Sequence, residues 1–471
     1  MKSKLFLSTL LLLLLKAFPL SSQNLFSKTY GSTNYDAFHA VCATADNGYI
    51  MTGLTLSYGD TLGDAIIVKT DSAGNTQFLK IYGGAKVDGG NAILQTADGG
   101  YLVVGHSESF SSDCDGIVLK LNANGDSIWE RIYGSPDDDA FSAADQTADG
   151  GFIFAGHSEN FSAIACDAFL VKTDNNGNVQ WQKYLGGAAD QTATSIKQTA
   201  DGGYIIAGRT TITGTDDVLL IKTNINGDTI WTKTFGGADN ERAYCVNSTS
   251  DGGYIITGGT RSFGAGAYDF YLIKTDASGN SQWQQTFGGA YDDGAYDVKQ
   301  TADGGYIVTG FTKSFGDTLG DIYLVKTDLS GNVMWTKVIG GGGDDGAISV
   351  LSTSDGGYAI AGHTKSFGNG DYDCFLVKTD SVGFNVTSVN DWEPVKDFSV
   401  FPNPSNGIFT VASQKEIITI EIYTVLGECV YKKDASTPLT MTIDLSEQSK
   451  GIYFVQIKSG DNASSQKIII Q

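Results

Sequence analysis

One motif recurs seven times along the chain, and it constrains the fold more than any other feature. The copies are Asp46-Asn-Gly-Tyr49, Asp98-Gly-Gly-Tyr101, Asp149-Gly-Gly-Phe152, Asp201-Gly-Gly-Tyr204, Asp251-Gly-Gly-Tyr254, Asp303-Gly-Gly-Tyr306 and Asp355-Gly-Gly-Tyr358. They stand 52, 51, 52, 50, 52 and 52 residues apart. Such even spacing belongs to an array in which each unit buries its apolar face against the next. Residues 288–339 show what one unit contains: a glycine-acidic loop, AYDVKQT, a DGG turn, GYIVTGFT, a second loop, IYLVKT, a DLSGN turn and VMWTKVI. These are four short strands divided by turn residues, with no helical period, so the expected fold is all-β: a seven-bladed β-propeller with four antiparallel strands per blade. The seventh unit stops after FLVKT and lacks the aromatic strand that ends the others, while Phe26-Ser-Lys-Thr-Tyr30-Gly31 supplies such a strand at the other end of the chain. An N-terminal strand that completes the last blade would close the array and leave no sheet edge exposed.

The 60 glycines among 471 residues exceed the usual share, but 41% hydrophobic residues suffice for a core. A net charge of −22 argues against nucleic acid or an anionic membrane as partner, since both attract clustered Lys and Arg. Lys2, Lys4 and the apolar run 5–15 read as a signal peptide, because eleven residues span only about 16 Å as a helix. No later stretch is long enough for a transmembrane segment. The expected divisions are a signal peptide at 1–22, the propeller at 23–384, a linker at 385–396 and a small C-terminal domain at 397–471. Six cysteines without CxxC spacing form neither a disulfide framework nor a zinc site, and Cys114 and Cys166, at equivalent places in adjacent units, read as free thiols.

In the last 75 or so residues glycine becomes sparse, and FSVFPNPSNGIFTV, IEIYTVLGECVYK and GIYFVQI…KIIIQ follow one another as short alternating strands of a β-sandwich, Ig-like in size and pattern. These three features closely resemble the C-terminal sorting domain of type IX secretion cargo of Bacteroidota. The resemblance implies export across the outer membrane by the type IX machinery, removal of this domain, and attachment of the remainder to surface lipopolysaccharide. KTDASGNSQWQQTFGG (274–289) resembles the tryptophan-docking repeat of quinoprotein propellers, with Trp129, Trp181, Trp231, Trp283 and Trp335 in place and Phe26 and Phe78 in the other two units. It gives no warrant for a quinone, and no cofactor is evident.

Two carboxylate positions repeat on one face. The entry loops carry Asp36, Asp88, Asp139, Gln191, Glu241, Asp293 and Asp345, and the second loops end in Asp64, Asp115, Asp167, Asp217, Asp269, Asp321 and Asp373. Such rings could bind a hard cation such as Ca²⁺, or sugar hydroxyls, but an Asp before a strand also fixes its own turn. A residue present in every blade is better explained by what every blade needs, so function is expected where the symmetry breaks. His106, His157, Arg209 and His363 follow the glycine that ends the second strand, where other units have Leu54, Gly259 and Phe311. The second-loop aromatics Tyr58, Phe110, Phe161, Phe263, Phe315 and Phe367, with Ile212 in the fourth unit, suit sugar stacking or anchoring of their own loops. The repeated lysines from Lys69 to Lys378 are expected to clamp the DGG aspartates. No nucleophile elbow, HExxH helix or phosphate loop is present. The expectation is a secreted, monomeric, non-catalytic binding, adhesion or surface-structural module for a glycan, protein or cation; the alternative is an extracellular glycan hydrolase or lyase with its site in the central funnel.

Overall fold

The computed structural model describes residues 25–59, 62–110, 113–162, 165–211, 214–384, 398–401, 405–413, 419–424, 429–434, 440–459 and 462–470. The expected signal peptide and linker lie outside these residues. Two compact units divide the chain, Met1–Val386 and Thr387–Gln471. Every regular element among the described residues is a β-strand, and no helix there is long and apolar enough to cross a membrane.

The first unit is built of seven four-stranded antiparallel sheets, an arrangement consistent with a propeller. Sheets 1 to 6 span residues 36–82, 88–133, 139–185, 191–235, 241–287 and 293–339, and each uses four consecutive strands. Sheet 7 has three consecutive strands, Asp345–Ser352, Tyr358–Thr364 and Asp373–Thr379. Its fourth is Phe26–Tyr30, paired from Phe26↔Lys378 to Tyr30↔Cys374.

Apolar cores lie between successive sheets. Ile255, Phe270 and Leu272 of sheet 5 meet Val298, Val308 and Val325 of sheet 6. Phe26, Leu351 and Leu376 of sheet 7 meet Phe38, Met51 and Ile66 of sheet 1 in the same way. Third strands such as Asp269–Thr275 (DFYLIKT) are buried at every residue because both faces are covered, and their near-continuous apolar sequence follows from that. Outer strands such as Ser281–Phe287 alternate with solvent.

The outer aromatic of each sheet reaches the next sheet. Trp181 meets Tyr204 at 5.8 Å, Trp283 meets Tyr306 at 5.8 Å and Phe26 meets Tyr49 at 6.2 Å. The turn beneath needs a glycine: a Cβ on Gly279, where φ is +76°, would fall 2.7 Å from Trp231. Tyr30 of sheet 7 donates its hydroxyl to Gly74 O in sheet 1 at 2.7 Å, as Tyr133 of sheet 2 does to Gly177 O in sheet 3 at 2.6 Å.

The repeated lysines clamp the DGG turns. Lys274 Nζ donates to Asp251 at 2.9 Å and to Thr275 O at 2.8 Å, and the lysine side chain is 3% exposed against 53% for the aspartate. Because the lysine is the buried partner, removing the aspartate is the worse change. Asp251→Ala is expected to lower stability by about 1–2 kcal/mol. Lys274→Met, which removes the buried charge and leaves an exposed carboxylate, is expected to cost less than about 1 kcal/mol. Denaturant midpoints at pH 7 check the order.

In the second unit, Phe398–Phe401, Ile408–Ser413 and Thr440–Asp444 form a three-stranded sheet. Cys429–Asp434, Thr419–Thr424, Gly451–Ser459 and Asn462–Ile470 form a four-stranded one in that order. Val400, Phe409, Val411 and Ile443 from the first sheet share one core with Ile420, Ile422, Val455 and Ile468 from the second.

Candidate functional site

The entry-loop carboxylates are buried inside their own turns. Asp36, Asp139, Glu241, Asp293 and Asp345 are fully buried and Asp88 is 1% exposed. Glu241 accepts from Gly237 N at 2.7 Å, Thr260 Oγ1 at 2.8 Å and Ser262 N at 2.9 Å. Asp345 accepts from Gly341 N at 2.9 Å and from the Thr364 hydroxyl, and Asp36 accepts from Ser32 N at 3.0 Å and from the Thr55 hydroxyl. In sheet 4, Gln191 replaces the carboxylate, and the Thr210 hydroxyl opposite it is buried without a partner.

The second-loop aspartates meet this ring around a glycine. A Cβ on Gly288 would touch both Asp269 and Asp293, one on Gly340 both Asp321 and Asp345, and one on Gly31 both Asp373 and Asp36. Burial pushes the carboxyls of Asp217, Asp269, Asp321 and Asp373 up, and the partner carboxylates Glu241, Asp293, Asp345 and Asp36 add to it; burial alone raises Asp167. The DGG aspartates go the other way. Burial opposes their ionisation, but hydrogen bonds from the lysine and a neighbouring threonine outweigh it and hold Asp46, Asp98, Asp149, Asp201 and Asp251 at about 2.

The two sets give opposite linkage. Stability from the raised group is full below about pH 4 and lost as pH rises through their folded values; stability from the lowered group is full above about pH 4 and lost as pH falls toward 2. The melting temperature is therefore expected to be higher near pH 4.5 than at pH 7.5 and to drop below pH 3, as a calorimetric pH series would show.

The first strands of all seven sheets line one cavity of about 640 Å³. Each carries a β-bulge at the same place, between Phe38/Ala40, Gly90/Ala92, Phe141/Ala143, Ala193/Ser195, Ala243/Cys245, Ala295/Asp297 and Ala347/Ser349. The extra residues are His39, Asn91, Ser142, Thr194, Tyr244, Tyr296 and Ile348, and a bulge re-aims the side chain it carries. All seven line the cavity, and they comprise six residue types, only tyrosine occurring twice. The Tyr244 and Tyr296 rings lie 5.1 Å apart, and Tyr296 lies 6.1 Å from Phe311. His39 Nδ1 is 3.1 Å from Gly90 O, and burial lowers its pKa, leaving the imidazole neutral.

The residues expected to break the symmetry, His106, His157, Arg209 and His363, hold equivalent places on the second strands of sheets 2, 3, 4 and 7. His106 packs over Gly89 and His363 over Gly346, and His363 lies 5.4 Å from Tyr372. Burial lowers the pKa of His106, His157 and His363. Arg209 donates to Asp216 at 3.0 Å, and Arg242 donates to the other oxygen at 2.6 Å, so Asp216 joins sheets 4 and 5. Arg261 stacks on Tyr268 at 4.7 Å. Among the described residues no three His, Cys, Asp or Glu side chains gather to hold a metal ion. The six cysteines are free, and burial, then Asp297, push the Cys245 thiol up to about 11.

Phe263, Phe315 and Phe367 pack on Tyr271, Tyr323 and Phe375 of their own sheets and anchor their loops. Ile212 and the Phe161 side chain lie outside the described residues. Sequence reasoning passed over Tyr244, Tyr296, Arg242 and Asp216. Aligning the seven first strands column by column would have found the tyrosines, since the fourth column holds six residue types in seven places.

Seven four-stranded sheets whose first strands line one cavity, followed by a second all-β unit, define a two-unit all-β protein. Residues 399–471 match the family described as the secretion system C-terminal sorting domain. That tail marks the chain as type IX secretion cargo and implies export to the cell surface or the extracellular space. No curated protein matches the chain. Among solved structures it is similar to puromycin hydrolase, at 14% identity and TM-score 0.50 over 82% of this chain and 59% of that one. It is also similar to PorZ, a surface component of the type-IX secretion system of Porphyromonas gingivalis, at 11% identity and TM-score 0.42 over 94% of this chain. A protein of unknown function from Dyadobacter fermentans aligns at 10% identity and TM-score 0.44, over 75% of this chain and 99% of that one. The chain spans 60% of the PorZ length, and likeness at these identities concerns fold alone.

Proposed function

We propose that the first unit is a closed seven-bladed propeller, fastened by its N-terminal strand and carried to the cell surface by an Ig-like sorting domain, and that it binds a glycan without catalysis at the mouth of its axial cavity. The observation that carries this reading is the Tyr244–Tyr296 pair, two half-buried rings 5.1 Å apart on bulges that face the cavity. Aromatic faces with adjacent hydrogen-bonding groups suit the apolar face and hydroxyl rim of a sugar ring. Thr194, Asn91 and the neutral His39 supply such groups. The ring carboxylates Glu241, Asp345 and Asp36 support a non-catalytic reading, since their oxygens are taken up by the hydroxyls and amides of their own loops.

Glycan-array screening of the purified full chain, followed by titration of the best hit, tests it. Tyr244→Ala combined with Tyr296→Ala is expected to weaken binding about tenfold or more, at about 0.5–1.5 kcal/mol per ring, with little change in melting temperature. An array without hits, or affinity indifferent to both tyrosines, would overturn the reading.

A further inference from the structure

The cavity wall is uneven. After each bulge, sheets 1 to 3 present Ala40, Ala92 and Ala143, whereas sheets 4 to 7 present Ser195, Cys245, Asp297 and Ser349. Two positions further along their strands, sheets 4 and 6 add Lys197 and Lys299, both lining the cavity, with side chains 37% and 34% exposed. In a chain of net charge −22, two cations directed into one cavity are a local exception.

The lysines are held in place rather than used up. Lys299 Nζ donates to Asp297 Oδ1 at 2.5 Å, and the second oxygen of Asp297 accepts from Ser349 Oγ at 3.1 Å and Val350 N at 2.9 Å. Lys197 reaches Asp145 at 3.4 Å, and that carboxylate also accepts from Gln198 N at 2.9 Å. An ammonium has three N–H donors, and these bonds engage one on each lysine. Both lysines line the same cavity as the Cys42 thiol of sheet 1, whose pKa they lower against the larger upward push of burial. Lys299 stands three residues beyond Tyr296 on the same strand, about 10 Å along it, a span that a lysine side chain shortens to the size of one sugar ring.

We propose that the axial cavity takes an acidic sugar of the uronate class, its carboxylate received by Lys197 and Lys299 and its ring set against Tyr244 and Tyr296. This rests on the sugar-binding reading of the cavity mouth and adds the charge of the ligand. Two ammonium groups with spare donors suit a carboxylate's two oxygens, and charge-assisted bonds of this kind are stronger than neutral ones.

Calorimetric titration of the full chain with glucuronate, glucose and acetate tests the proposal. Glucuronate is expected to bind at least about tenfold more tightly than glucose, and Lys197→Gln to erase that preference while glucose affinity stays as in the wild type. Lys299→Gln leaves Asp297 without its cation and endangers the fold; Lys197→Gln, with the longer ion pair, is therefore the deciding variant. Equal binding of glucuronate and glucose, both lost on replacing the two tyrosines, would overturn this inference and leave the mouth reading standing. Glucuronate binding matched by acetate and indifferent to the tyrosines would overturn the sugar reading, and absence of binding by any of the three would overturn both.

Discussion

A chain lacking residues 25–31 is expected to lose cooperative folding of its first unit. The strand Phe26–Tyr30 is the fourth strand of sheet 7 and the only one in any of the seven sheets drawn from the far end of the chain. Its ladder covers Asp373–Thr379 along five paired residues. Phe26 is 8% exposed and sits against Tyr49 and Gly74, and the Tyr30 ring lies 5.7 Å from Phe38. Truncating one buried aromatic side chain costs about 3–5 kcal/mol, so losing two together with a ladder consumes most of a typical stability of about 5–15 kcal/mol. The expected product is soluble only in part, with a broad, early melt. Tyr30→Phe, which removes the hydroxyl bonded to Gly74 O, should cost only about 1 kcal/mol. A truncated chain that melts as sharply and as late as the intact one would show that the strand fastens nothing.

Gly258→Ala is expected to be among the most damaging substitutions of its size, with its equivalents Gly156, Gly208 and Gly310, at more than about 3 kcal/mol. A Cβ there would lie 1.8 Å from Arg242 O and 2.9 Å from Ala243 Cα, both backbone atoms of the first strand where it enters its bulge. No rotamer change relieves a backbone clash, so the strands would have to part. Gly252→Ala in the same sheet provides the contrast. Its φ is +83° but nothing lies within 4 Å of its Cβ position, and the equivalent residue in sheet 1 is Asn47, which holds φ of 63°. The cost there is conformational, about 1–2 kcal/mol. Urea midpoints of the two variants separate the two roles of glycine, and equal midpoints would contradict the account.

The sheets were legible because turn chemistry repeats: each DGG turn, each docking aromatic and each strand-ending lysine holds the same place in its unit. The N-terminal strand was legible as a piece missing from one end and present at the other. The bulges were not. A bulge adds one residue to a strand without changing the spacing of the repeat, and the residue it re-aims is the one that varies. Alignment by constant positions therefore led to the buried Asp and Glu ring and passed over Tyr244 and Tyr296. The sequence pattern marks a glycine at the end of each second strand, but the strand runs on past it, and its role is to make room for the bulge opposite. Lys197 and Lys299 were hidden for a related reason, since a strand residue facing an axis reads like any other half-exposed polar residue until the sheets surround it.

The central claim is that positions repeated in every sheet build the fold and that positions differing between sheets bind the ligand. Melting temperature and glycan affinity, measured side by side on Asp293→Asn and on Tyr244→Ala, test it most directly. The account predicts that Asp293→Asn, which weakens the bonds to Gly289 N and Lys313 N, lowers the melting temperature and leaves affinity unchanged, while Tyr244→Ala does the reverse. Affinity lost in Asp293→Asn at an unchanged melting temperature would contradict it and make the carboxylate ring the site.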